Sequence, residues 1–315
     1  MTQLHLGILL WSQATEWQPM LETARRVERL GYDHLWAWDH LYAIYGDPYQ
    51  PIFEGYSVLA AWAMATERVK LGLLVGANTF RNPGLVAKTV TTLDHISGGR
   101  AIMGLGGAWF ELEHQAHGIE FGSGFGQRLD WLDESVGAIR TVLDGGEVTY
   151  ESPKYRFDRL SQLPLPLQAH VPIMIGGSGE KKTLRTIAKY ADMWNAFGTP
   201  DGLRRKDGIL RAHCADVGRD QAAIQRTVGC KMVIRDDPAE AQRVWAAQMT
   251  HNRTPQTEWD GPDTLWLGNV EQIAATIRGY VGAGFSTVIV EMAAPYDVET
   301  LERLMGEVKP LVEAG

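Results

Sequence analysis

The sequence predicts an α/β chain closed into a (β/α)8 TIM barrel. Eight short apolar runs recur along it, separated by segments with helical spacing, which is the alternation of eight βα units. The length of 315 residues is ordinary for a barrel folded as one domain, here residues 1–315. The competing doubly wound sheet needs a glycine fingerprint behind its first strand, and Trp11-Ser12-Gln13-Ala14-Thr15-Glu16-Trp17 holds no glycine.

The apolar runs are Leu4–Leu10, His34–Ala37, Val69–Val75, Arg100–Leu105, Pro172–Ile175, Met193–Asn195, Val228–Ile234 and Thr287–Glu291. Behind the first, Trp17, Met20, Leu21, Ala24, Val27 and Leu30 form one helical stripe, which Gly31 stops. Asn82 then Pro83 is a cap followed by a first-turn proline, and the helix they open ends at Gly98-Gly99. Phe125–Leu143 reads as a helix closed by Gly145-Gly146. The last helix carries Val298, Leu301, Leu304, Met305 and Val308 on one face. Two stretches exceed a minimal barrel. Residues 147–170 read as an excursion with β character and several prolines. Residues 249–268 are polar and longer than the usual connection, a lid or simply a mobile loop.

Composition narrows the function classes. Hydrophobic residues at 45% and charged residues at 22% describe an ordinary soluble protein. Two cysteines, Cys214 and Cys230, exclude a disulfide framework and a cysteine-rich metal site. The short apolar start has no basic residues ahead of it and reads as a strand, not a signal peptide. No apolar stretch reaches the roughly 20 residues that span a membrane. The expectation is a cytoplasmic protein with no membrane partner. A net charge of −8 argues against a nucleic-acid partner. Eleven tryptophans can fill a core or line a pocket for flat rings.

Barrel chemistry sits behind the strands, so the residues following each run are the candidates. Behind the second run, Asp39 and His40 offer proton exchange near neutral pH, or a polar loop around a satisfied histidine. Behind the third, Gly76 to Arg81 includes Asn78, which can bind ring carbonyls and nitrogens or merely belong to a turn. Behind the fourth, Gly106 and Gly107 allow close backbone approach, followed by Trp109, Glu111, Glu113 and His114. Trp109 occupies the place where a dinucleotide fingerprint needs its final glycine. Behind the fifth, Gly176-Gly177-Ser178-Gly179 precedes a helix, an arrangement that cradles a phosphate or simply makes a glycine-rich turn capped by Ser178 or Thr183. Asn195 behind the sixth run and Glu291 at the eighth can face the mouth. No cluster has metal-ligand spacing, and there is no Gly-x-Ser-x-Gly elbow.

The order of these motifs resembles the bacterial luciferase-like monooxygenase superfamily. The series is Trp38-Asp39-His40, Asn78 to Pro83, Leu93 to Arg100, Gly104 to Trp109 and Ile175 to Gly179. The resemblance runs from about residue 4 to residue 292, and Ile96-Ser97-Gly98-Gly99-Arg100 and Ile175-Gly176-Gly177-Ser178-Gly179 are its most specific parts. The stretch Ile175–Asn195 is most similar to an actinobacterial branch of coenzyme F420-dependent oxidoreductases. The resemblance implies a barrel with an insertion after the seventh strand, matching residues 249–268. It implies a flavin-like ring at the mouth, near Asp39, Leu74, Val75, Asn78, Gly106, Gly107 and Asn195, with its phosphate at Gly176, Gly177, Ser178 and Gly179. It also implies a cis peptide at Leu74-Val75, an acid/base role for His40, and Asp39 positioning the ring or His40. Relatives place a glutamate where this chain has Trp109, with Glu111 and Glu113 shifted, which argues against a sugar-phosphate dehydrogenase.

Three functions follow from that reading. The first is hydride transfer between the deazaflavin F420 and a small organic substrate. The second is an FMN-dependent monooxygenase using O2 and reduced flavin from a separate reductase. The third is cofactor binding without turnover. Trp11, Trp109, Phe110, Glu113 and residues 249–268 would shape the substrate pocket. A homodimer is implied by the resemblance; the apolar Phe53–Ala65 stretch can serve it or the core.

Overall fold

The computed structural model describes residues 3–314; Met1, Thr2 and Gly315 of the expected 1–315 unit lie outside the described residues. Eight parallel strands close in chain order: β1 (His5–Leu10), β2 (His34–Ala37), β3 (Lys70–Leu73), β4 (Ala101–Gly106), β5 (Ile173–Gly176), β6 (Met193–Ala196), β7 (Gln225–Ile234) and β8 (Thr287–Met292). Closure pairs β8 with β1 in register from His5 against Thr287 to Leu10 against Met292. The fold is an α/β barrel of eight parallel strands, as the eight apolar runs predict.

Alternation along the strands separates two apolar interiors. Leu6, Ile8 and Leu10 of β1 face the surrounding helices, whereas Leu9 joins Trp36, Ile102, Met174, Met193 and Ile289 inside the barrel. The helices form where the sequence carries caps. Helix α1 (Trp17–Leu30) stops at Gly31, whose φ of 95° is left-handed. Helix α2 (Gly55–Ala65) opens on Glu54, which accepts from two backbone N–H groups. It buries Val58, Leu59, Trp62 and Ala63, so the apolar Phe53–Ala65 stretch mainly serves the core. Helix α3 (Pro83–Ser97) opens on Asn82 and ends at Gly98. Then follow α4 (Glu111–His117), α5 (Phe125–Leu143), α6 (Thr183–Tyr190), α7 (Pro200–Asp216), α8 (Pro238–His251) and α9 (Val270–Gly282). The final stripe is not one α-helix: a π-helical turn, Leu304–Val308, joins Val298–Arg303 to Lys309–Ala314. No helix among the described residues is long and apolar enough to cross a membrane.

The Ile96–Arg100 motif is structural. Gly98 and Gly99 turn the chain with φ of 69° and 87°. Arg100 can then bury its guanidinium against the carbonyls of Ala63, Thr66, Val69 and Ser97. This ties the end of α2 to the start of β4, at the barrel end opposite the mouth.

The third strand carries the irregularity that shapes the mouth. Leu71 opposes Ala101, yet Gly76 opposes Leu105, so five steps on one strand face four on the next. The extra residue makes a bulge. The peptide Leu74–Val75 within it is cis. A Cβ on Gly104 would collide with the Leu73 carbonyl, and one on Gly106 or Gly176 would lie 2.7 or 2.8 Å from the Val75 side chain. These glycines make room first for the bulge itself.

Both excursions are ordered. Val148–Glu151 and Arg156–Leu160 form an antiparallel hairpin outside the barrel, where Tyr155 and Phe157 pack with Trp131 and Ala138 of α5. The 249–268 stretch is only partly loop. Met249 is fully buried in α8, and Leu265–Gly268 is a strand added parallel to the upper half of β7. Irregular chain is confined to residues 252–264, with one short 3-10 turn, Gln256–Glu258.

Candidate active site

A cavity of about 470 Å³ opens at the C-terminal mouth, and residues from behind seven of the eight strands reach it. A larger groove, about 880 Å³, runs outside the barrel along α1, but no acid/base pair converges on it. Aromatic groups Trp38, Tyr45, Trp109, Phe125 and Phe197 line the mouth cavity together with Gly76, Gly106, Gly107, Gly176 and Gly177. Flat side chains and bare backbone suit a planar ring system.

His40 follows β2, and Glu113 projects from the short helix α4. The His40 Nδ1 lies 3.0 Å from Glu113 Oε1, and the Leu41 N–H donates to Oε2 at 2.9 Å. Glu113 is almost fully buried. An ionised carboxylate only accepts, so Nδ1 carries the hydrogen and a neutral ring keeps its lone pair at Nε2. Among the described residues Nε2 has no hydrogen-bond partner, and the ring lines the cavity edge-on to Trp109 at 5.6 Å. A histidine fixed at one nitrogen and free at the other can take or give a proton.

Asp39, expected to position the ring or His40, lines the cavity but finds its partners elsewhere. Arg81 grips it with two bonds of 2.7 and 2.9 Å, and the Ala77 N–H donates to it at 2.8 Å. Its carboxylate is thereby committed to the bulge and does not pair with His40. Arg81 also bonds Glu54 and lies over the Tyr56 ring.

Other sequence candidates divide. Leu74, Val75, Gly106, Gly107, Gly176, Gly177 and Asn195 line the cavity, as do Trp109 and Glu113. Asn195 is held by its amide, which donates to Thr227 Oγ1 at 3.0 Å. Asn78 does not line the cavity; it is buried and its amide donates to the Tyr155 hydroxyl at 3.2 Å. Trp11 is also outside the lining. It is fully buried and stacks behind Tyr45 at 4.2 Å, because it directly follows β1 and turns inward. Ser178 and Gly179 lie beyond the cavity, in the loop before α6. Neither Ser178 nor Thr183 caps α6, whose cap position is Lys182. The Ser178 Oγ instead accepts from Lys206 of α7 at 2.7 Å. Lys206 has no carboxylate partner among the described residues, so this loop combines a helix start with an available cation.

Glu291, the candidate at the eighth strand, lines the cavity within a polar cluster whose other members the strand-end motifs do not mark. The Lys231 ammonium of β7 lies 3.0 Å from Asp260 of the 252–264 loop and 3.3 Å from Glu291 of β8. The Tyr45 hydroxyl donates to Asp260 at 3.2 Å. Burial pushes the Glu291 carboxyl up, and Asp260 adds to that, because one ammonium serves two carboxylates. Burial opposes the charge on Lys231, but Glu291, Tyr45 and Asp260 outweigh it and keep it charged. Parity shows this cluster in the sequence: Lys231 and Glu291 each stand two residues from an inward residue, Val233 and Ile289.

Residues 4–287 match the luciferase-like monooxygenase family. The chain belongs to that family. It is similar to an uncharacterized protein of Mycobacterium tuberculosis, 29% identical over 55% of this chain, and spans 60% of that relative's length. It is 27% identical to the F420-dependent glucose-6-phosphate dehydrogenase of Kineococcus radiotolerans over 93% of this chain and 92% of that one. Among solved structures, an F420-dependent secondary alcohol dehydrogenase has a TM-score of 0.82 at 21% identity, covering 98% of this chain and 99% of the other. That last likeness concerns the fold.

Proposed function

We propose that this family member is an oxidoreductase that moves a hydride between the deazaflavin F420 and a small organic substrate. The observation that carries the reading is the His40–Glu113 pair, with a free imidazole nitrogen, beside a glycine-lined and aromatic cavity. The residues present fit such a cofactor: Gly107 and Gly177 line the cavity beside its aromatic groups, and the Ser178–Lys206 pair stands where a phosphate is expected. The F420-dependent relative supports the same choice. When bound, the cofactor supplies the two-electron acceptor or donor.

The chain's own residues supply the rest. In the oxidising direction a carbinol C–H bond breaks, its electron pair leaves as hydride, and the hydroxyl proton passes to His40 Nε2 as the C=O bond forms. Glu113 fixes the imidazole tautomer and stabilises the imidazolium. Asp39 and Arg81 hold the bulge carrying Val75 and Gly76 in place. Trp109, Phe125 and Phe197 give the mouth aromatic walls.

The aromatic lining also favours a second reading, an FMN-dependent monooxygenase fed by a separate reductase, because oxygen chemistry on reduced flavin needs a dry site. Side-by-side titration with F420 and FMN, followed by absorbance, separates the two. Saturable F420 binding with oxygen-independent turnover supports the first. FMN binding with oxygen-dependent turnover replaces it with the second.

A further inference from the structure

We propose that the Lys231–Asp260–Glu291 cluster makes this pocket a site for uncharged hydroxyl or carbonyl compounds and closes it to phosphorylated and carboxylated ones. The inference rests on the hydride-transfer reading and names its substrate class. Four carboxylates line the cavity, Asp39, Glu113, Asp260 and Glu291, against one ammonium, Lys231. The nearby Arg81 is spent on Asp39 and Glu54. Lys231 is spent too, with carboxylates at 3.0 and 3.3 Å and its ammonium 5.6 Å from the centroids of both the Tyr45 and Phe197 rings.

An anionic substrate needs a cation whose charge is not already matched. Here it would have to displace Asp260 or Glu291 and then stand among the remaining carboxylates, so like-charge repulsion excludes it. A neutral hydroxyl or carbonyl meets no such penalty. It can accept from the ammonium or donate to a carboxylate without breaking either pair. Ile44, Trp109, Phe125 and Phe197 offer its carbon frame an apolar wall. The Kineococcus relative is named for a phosphorylated sugar; this pocket is built against one.

The test compares wild type, Asp260→Asn and Glu291→Gln. Asp260 sits on the 252–264 loop, so its isosteric change leaves the barrel packing alone. Each protein is loaded with cofactor and titrated with inorganic phosphate, glucose 6-phosphate and glucose, read by cofactor absorbance. Both variants are expected to bind phosphate at least about tenfold more tightly than wild type, since each frees part of the Lys231 charge. Equal phosphate affinity in all three proteins, or wild type favouring glucose 6-phosphate over glucose, overturns the inference. Failure to load F420 or FMN counts against the proposed function alone. Sulfate-soaked crystals of the cofactor-free proteins then decide the inference: anion density against Lys231 only in the variants upholds it, and density there in wild type overturns it.

Discussion

Replacing Glu113 by glutamine tests the site at its most specific point. The carboxylate accepts from His40 Nδ1 at 3.0 Å with one oxygen and from the Leu41 N–H at 2.9 Å with the other. Glutamine has one oxygen and one NH2 group, so a donor must face a donor at one of the two positions. If His40 loses its acceptor, the ring no longer has a reason to keep its hydrogen on Nδ1, and Nε2 ceases to be a reliable base. Loss of a positioned general base lowers kcat by about 100- to 10,000-fold, or roughly 2.7 to 5.4 kcal/mol of barrier. The stability cost is smaller, about 1 to 3 kcal/mol, because one buried donor is orphaned while a buried charge is removed. Steady-state turnover under saturating cofactor, urea unfolding and cofactor titration together make the assay. The expected result is a collapse of kcat with cofactor affinity within about twofold of wild type. Turnover within about threefold of wild type, in protein that loads cofactor normally, would refute the assignment of His40 as the proton-transfer group.

Three further outcomes follow from other parts of the molecule. Arg100→Met strands four buried carbonyls and should cost about 3 to 5 kcal/mol in urea unfolding, with cofactor affinity unchanged in the folded protein. Lys206→Met removes the cation beside Ser178 and should weaken cofactor binding about tenfold, the weakening shrinking at high salt; unaltered binding would move the phosphate elsewhere. His34 is buried at the foot of the barrel, and desolvation depresses its pKa from 6.5 to about 4. The unfolded chain therefore binds a proton that the folded chain refuses, and stability should fall as pH drops from about 6.5 to about 4, by roughly 3 kcal/mol in all. His34→Gln should flatten that part of the pH–stability curve, as followed by denaturant midpoints.

The barrel was legible because its signals are local. Each strand is a run of apolar residues, and Gly31, Asn82-Pro83 and Gly98-Gly99 mark helix ends within a residue or two of the chain they govern. The site was legible only as a set of strand-end residues, because its pairings join distant segments. Asp39 and His40 are adjacent in sequence, yet extended backbone sends them to different partners, Arg81 and Glu113. The glycines behind β4 and β5 point correctly to close approach, but the approaching group at Gly106 and Gly176 is the Val75 side chain. Trp11 followed the same strand-end logic and failed, since it turns under Tyr45 instead of into the mouth.

Lys231 is the instructive omission. It stands inside a run that reads as a buried strand, and a lysine there looks like a blemish on an apolar pattern. Strand periodicity makes it a signal: it shares the inward parity of Val233, and Glu291 shares that of Ile289 on the neighbouring strand. Two opposite charges pointing into one barrel from adjacent strands are costly to bury unless they meet, so the sequence already requires the pair that the structure contains. What it cannot supply is Asp260, which arrives from a loop 29 residues beyond Lys231 and tips the balance from a matched pair to an excess of carboxylate. The same ammonium would invite an anionic substrate without that loop and, with it, turns one away.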